Sequence, residues 1–149
     1  MADVAVATEH MWVSASPERC YAVAADLGRY PEWAADIKEV VINDTDDHGR
    51  PHSVGYRAAA FGRSTNYTLE YDFSEAPRVI SWKLTKGDIT TKLDGSYVFD
   101  AGEDGGTEVT YHLEIELRVP IPSFIKMRVR SRIMSTAMRE LKARVESSA

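Results

Sequence analysis

Large amphipathic aromatics recur at alternating positions along the strand-like part of this chain. Tyr67, Tyr71, Trp82, Tyr97, Phe99 and Tyr111 fall on the apolar faces of four segments, with Leu69 and Leu113 beside them. Tyr and Trp offer an apolar body and one polar tip. A wall of such residues suits recognition of a mostly hydrophobic small molecule by a few oriented donors. Near the C-terminus, Phe124, Met127, Ser131, Met134 and Met138 recur at steps of three and four, followed by Leu141 and Val145. That spacing is one stripe of an α-helix. Three of the five methionines lie on it. Methionine is flexible and polarizable, and adapts to varied apolar partners. Taken singly, each of these residues also reads as core filling.

Other chemistries lack a signature. His10, His48, His52 and His112 show no metal-ligand spacing, and His112 falls on the polar face of its segment. There is no phosphate-binding Gly-rich loop, nucleophile elbow or Cys–His pairing. No metal and no cofactor are expected. The lone cysteine, Cys20, excludes an internal disulfide. Its spacing with Val23, Ala24 and Leu27 makes it a small core residue.

Totals of 149 residues, 44% hydrophobic and 28% charged, describe an ordinary globular chain, expected to form one domain over residues 1–149. No apolar run is long enough to span a bilayer, and the first ten residues lack the basic start and apolar stretch of a secretory signal. A cytoplasmic location is the expectation. The net charge of −5 is unevenly spread: from Ile121 onward seven Lys and Arg face two Glu, a balance of +5 that leaves −10 for everything before it. A basic helix on an acidic body is favourable within one molecule, and the acidic remainder would repel phosphates, so nucleic acid is not an expected partner.

These side chains must be held by the elements around them. Val4 to Ala15 reads as a first strand. Ser16-Pro17-Glu18 combines an N-cap, a first-turn proline and a first-turn acid, and starts a helix that Gly28 can end. Tyr30-Pro31-Glu32-Trp33 begins a second short helix. Six strands follow: Ile37 to Asp44, Ser53 to Phe61, Thr65 to Ser74, Arg78 to Thr85, Thr90 to Asp100 and Thr107 to Val119, with a tight turn at Gly62-Arg63, a possible bulge at Gly95 and an end at Pro120. The long helix runs from about Ile121 to Val145. Short turns imply an antiparallel meander, and strict alternation implies one buried face. One element is long enough to cover that face, so a curved sheet wrapped around one helix is expected. Such a curl encloses more volume than its side chains need fill.

The segment Asp26-Leu27-Gly28-Arg29-Tyr30-Pro31-Glu32-Trp33, the element order and the Pro-flanked last helix resemble the START/Bet v 1-like superfamily, and within it the bacterial polyketide cyclase/dehydrase and lipid-transport group. The resemblance covers the whole chain. It implies an α+β helix-grip fold: a seven-stranded curved antiparallel sheet gripping the C-terminal helix, two short helices after the first strand, and a hydrophobic cavity inside. It also implies a hydrophobic ligand such as a lipid, fatty acyl chain, quinone or polyketide. Aromatase/cyclase relatives place Arg, Tyr or Ser groups inside the cavity against enolates. The matching candidates here are Arg130, Tyr97 and Ser131, with Tyr67 and one of Tyr56 or Arg57, which point to opposite faces. No matched acid–base pair emerges among them.

Two features admit more than one reading. Tyr30 and Trp33 can clamp the short helices onto the sheet rim or act as a gate. Ile125, Val129 and Ile133 form a second helical stripe flanked by Lys126, Arg128 and Arg132. Facing outward, it would serve a homodimer, an acyl-carrier partner or an anionic membrane. The leading expectation is a binding protein without turnover and without a cofactor. A polyketide cyclase/dehydrase is the alternative, and an interaction module with a filled core the third.

Overall fold

A computed structural model describes residues 5–60, 63–118 and 122–147. The strands are β1 (Ala5–Val13), β2 (Ile37–Ile42), β3 (Ser53–Ala60), β4 (Arg63–Asp72), β5 (Val79–Gly87), β6 (Thr90–Ala101) and β7 (Thr107–Leu117). The helices are α1 (Pro17–Ala25) and α2 (Ser123–Ser147), with a 3₁₀ turn at Leu27–Glu32. The expected turn at Gly62, the strand end at Pro120 and the helix start at Ile121 lie outside the described residues.

All seven strands form one antiparallel sheet in the order β1-β7-β6-β5-β4-β3-β2. The consecutive strands β2 to β7 form the meander that short turns dictate, and β1 adds to its far edge from Ala5↔Ile115 to Val13↔Thr107. Register shifts between Thr68 and Leu69 and between Thr90 and Lys92 interrupt the ladders. Such irregularities bend a sheet and increase its twist. Gly95 is not among them: it pairs regularly with Trp82 and Leu113.

α1 starts as its sequence dictates. The Ser16 hydroxyl accepts the Arg19 N–H at 3.2 Å, and Pro17 opens the first turn. It ends before Gly28, because the Asp26 N–H closes onto the Val23 carbonyl and the chain tightens into the 3₁₀ turn. Cys20, Val23 and Ala24 are buried, and burial raises the Cys20 thiol pKa. The thiol is thus a core group.

The C-terminal half of α2 buries Met134, Met138, Leu141 and Val145. The helix packs on β1, β7 and α1. Full burial of one such aliphatic side chain stabilises by about 1.5–3 kcal/mol. Polar contacts fix the helix from both sides. Lys142 Nζ donates to the Trp12 carbonyl at 2.7 Å, and Glu146 accepts the Ser14 N–H at 2.8 Å. Across the helix, Glu140 accepts the Ala35 N–H at 3.0 Å, and Arg144 reaches Glu32 at 2.9 Å. α2 therefore straddles the fold, tied to β1 along one edge and to the segment after α1 along the other.

Candidate functional site

Between the concave face of the sheet and α2 lies a cavity of about 620 Å³. The inward positions of β3 to β7 form its floor, because successive side chains alternate between faces. They include Tyr56, Tyr67, Leu69, Tyr71, Trp82, Leu93, Tyr97, Tyr111 and Leu113. Its roof is one face of α2: Val129, Ile133, Thr136, Ala137 and Glu140, three or four residues apart. Tyr30 and Trp33 of the 3₁₀ segment complete a wall. The volume falls inside the ~300–1,000 Å³ range of small-molecule sites, so the expectation of a filled core does not hold.

The floor is an aromatic mosaic. Tyr56 stacks on Tyr67 at 5.2 Å between centroids, and Tyr97 on Tyr111 at 4.8 Å. Trp82 bridges the two groups, 6.0 Å from Tyr71, 5.4 Å from Tyr97 and 6.0 Å from Tyr111. Two of the six tyrosines satisfy each other, the hydroxyls of Tyr56 and Tyr71 being 2.5 Å apart. Tyr30 donates to the Ala24 carbonyl at 2.5 Å, which ties the 3₁₀ segment to α1, and its ring meets Trp33 at 4.8 Å. Both side chains thus clamp the rim and face the cavity at once. Burial, before any charge effect, pushes the pKa of all six phenols above the usual value near 10. Desolvation penalises a phenolate, so every one is a neutral O–H at physiological pH. The charged lining residues are Asp36, Arg132 and Glu140. Asp36 adds to the rise at Tyr67 through its negative charge.

Most of the anticipated residues of the sheet line this space: Tyr56, Tyr67, Leu69, Tyr71, Trp82, Tyr97, Tyr111 and Leu113, with Tyr30 and Trp33. Phe99 shares their face but lies further along β6, where it is buried in the core and meets Tyr21 of α1 edge-on at 6.4 Å. The helix stripe is corrected more deeply. Met134 and Met138 are core residues against the sheet edge and α1, and neither borders the cavity. Phe124 and Met127 are 59% and 54% exposed, and Ser131 is exposed. Val129 and Ile133 face the cavity instead of the outside. The reason is the straddling position of α2: the face that buries on β1, β7 and α1 is not the face that roofs the cavity. Of the stripe Ile125, Val129 and Ile133, the latter two line the cavity, and among the described residues the exposed large apolar side chains of this half are Phe124 and Met127.

Of the three catalytic candidates, Tyr97 alone borders the cavity. Arg130 donates to the Val6 carbonyl at 3.2 Å on the β1 side, and Ser131 points to solvent. Arg57 pairs with Glu39 at 3.8 Å, so Tyr56 is the inward member of that pair. The sequence reasoning missed Thr136, Ala137 and Glu140 as roof residues. Their spacing continues the stripe begun by Val129 and Ile133, and that continuity was the available signal.

The profile of the family described as "Polyketide cyclase / dehydrase and lipid transport" matches residues 4–146. The chain belongs to this family. Among solved structures, a START superfamily protein from Mycobacterium smegmatis superposes with a TM-score of 0.90 at 22% identity, over 97% of this chain and 99% of that one. The Zhui aromatase/cyclase from Streptomyces sp. R1128 gives 0.84 at 14% identity, over 97% and 94%. The major latex-like protein 151 from Panax ginseng gives 0.71 at 12% identity, over 95% and 97%. At these identities the likeness is one of fold: the START/Bet v 1-like helix grip shared by the family. No curated protein matches the chain by sequence. Among the described residues, no helix is long and apolar enough to cross a membrane, and no cluster of three or more His, Cys, Asp or Glu is placed to hold a metal ion.

Proposed function

We propose that this member of the polyketide cyclase/dehydrase and lipid-transport family binds a hydrophobic small molecule within the grip, holding it without covalent change. The observation that carries the reading is the cavity of about 620 Å³ between the sheet and α2, floored by aromatic rings and roofed by Val129, Ile133 and Ala137. An apolar wall with a few converging polar groups is the ordinary chemistry of a small-molecule site. Native mass spectrometry of the purified protein tests it. A retained or added lipid-like ligand, bound one per chain, is expected. Absence of any adduct, together with no uptake of a hydrophobic fluorescent probe, contradicts it.

A second reading, cyclisation or dehydration of a poly-ketone, is favoured by one observation: neutral phenol O–H groups face the space a substrate would occupy. Oriented donors of this kind stabilise a developing enolate in a dry site. Product analysis with a poly-ketone tests it. Turnover that Tyr97→Phe abolishes while ligand binding persists favours this reading. Binding without product favours the first.

A further inference from the structure

The six cavity tyrosines are not equivalent. Tyr30 donates to the Ala24 carbonyl, and Tyr56 and Tyr71 satisfy each other. Among the described residues, the hydroxyls of Tyr67, Tyr97 and Tyr111 have no hydrogen-bond partner, although all three side chains line the cavity. Tyr97 and Tyr111 are only 7% and 5% exposed. These hydroxyls are not buried orphans: the buried side-chain atoms without a partner among the described residues are the Nε of Arg19 and of Arg130, so the three phenols open on the cavity, where a guest can reach them. Three of them around one cavity are three unused donors.

Their placement is convergent. Tyr97 and Tyr111 are register partners on β6 and β7. Their rings stack at 4.8 Å with 17° between planes, so the two phenols stand side by side on the cavity floor. Tyr67 comes to the same cavity from β4. Among the described residues the lining holds one cation, Arg132, which is exposed on α2. An anion seated among the tyrosines would lose its hydration without gaining a counter-charge. A carbonyl oxygen has two lone pairs, carries no net charge, and can accept from two parallel O–H donors.

We infer that Tyr97 and Tyr111, assisted by Tyr67, select a ligand bearing a neutral acceptor oxygen, such as a ketone or lactone carbonyl, and reject one that would bring a carboxylate to the same place. This selectivity rests on the binding role proposed above. Tyr67, Tyr97 and Tyr111 are specificity-determining residues in it, and the remaining aromatics supply shape and apolar contact.

The test uses three probes of one shape: 9-fluorenone, fluorene and fluorene-9-carboxylate. Each displaces a hydrophobic fluorescent dye from the wild-type protein and from Tyr97→Phe, Tyr111→Phe and the double variant. Phenylalanine keeps the rings, and an unchanged fluorene affinity shows that the cavity is intact. The wild type is expected to bind fluorenone about fivefold or more tighter than fluorene, with the carboxylate weakest. Each single variant should erode the preference, and the double variant should erase it. Equal affinities, a preference that survives in the double variant, or a carboxylate that binds tightest overturns the inference and leaves the cavity reading standing. If neither the dye nor any probe enters the wild-type protein, both fall together.

Discussion

The indole of Trp82 lies across Gly95, its register partner on the next strand. A Cβ at residue 95 would fall 2.7 Å from the Trp82 ring and 2.6 Å from the His112 carbonyl oxygen. The missing side chain is what lets the indole lie over β6 and reach Tyr97 and Tyr111. Gly95→Ala is therefore expected to push the ring into the cavity and destabilise by about 1–3 kcal/mol, the usual cost of overpacking. Urea denaturation and Trp fluorescence check this. An alanine variant with unchanged midpoint and unchanged emission contradicts the placement.

The two faces of α2 give opposite expectations for similar residues. Met134 is 2% exposed in the core, so Met134→Ala should cost about 2–4 kcal/mol. Met127 lies two turns earlier on the same nominal stripe but in solvent, and Met127→Ala should stay within about 0.5 kcal/mol. Thermal unfolding of the two variants reads the difference. Equal losses would mean that α2 is turned from the orientation described.

Much of the floor was legible because a strand has only two faces. Once Tyr67, Leu69 and Tyr71 share a side, one buried neighbour places them all. Position along the strand is a different matter, which is why Phe99 joins the core near Tyr21 while Tyr97, two residues earlier, borders the cavity. The helix was harder. A helix held inside a curl has two working faces, one packed on β1, β7 and α1 and one over the space. The packed face carries the more regular apolar spacing, so Met134 and Met138 looked like cavity residues. The roof face includes Thr136 and Glu140, whose polarity hid its continuity with Val129 and Ile133. Nothing in the spacing alone marks where one apolar stripe passes from core to solvent, as it does between Met134 and Met127.

Acid should loosen the structure where carboxylates are held below their usual pKa, at Asp46, Asp72, Asp88 and Glu146, of which the last two tie separate elements together. The Lys142 side chain, then the Ser14 N–H, holds the Glu146 pKa below its usual value. At Asp88 the Thr65 hydroxyl acts first, with the Asn66 and Ile89 N–H groups. A carboxyl whose folded pKa is depressed adds stability above its unfolded pKa, and that stability disappears as pH falls through the folded value. Melting temperature should therefore be flat from pH 7 to about 5 and fall below about pH 4. Glu146→Gln and Asp88→Asn should each lower the plateau and flatten the acid fall. Variants that melt with the wild-type profile at every pH would remove these two groups from the account.

The cavity can be challenged directly by filling it. Ala137 lies on the roof, among Ile133, Thr136 and Glu140. The decisive measurement is titration of a hydrophobic fluorescent probe into the wild-type protein and into Ala137→Trp, with melting curves run in parallel. The wild type is predicted to take up one probe per chain, and the filled variant, still folded, to lose at least tenfold in affinity. Uptake that is absent from the wild type, or unaffected by a tryptophan at residue 137, would contradict a ligand held between the sheet and the last helix.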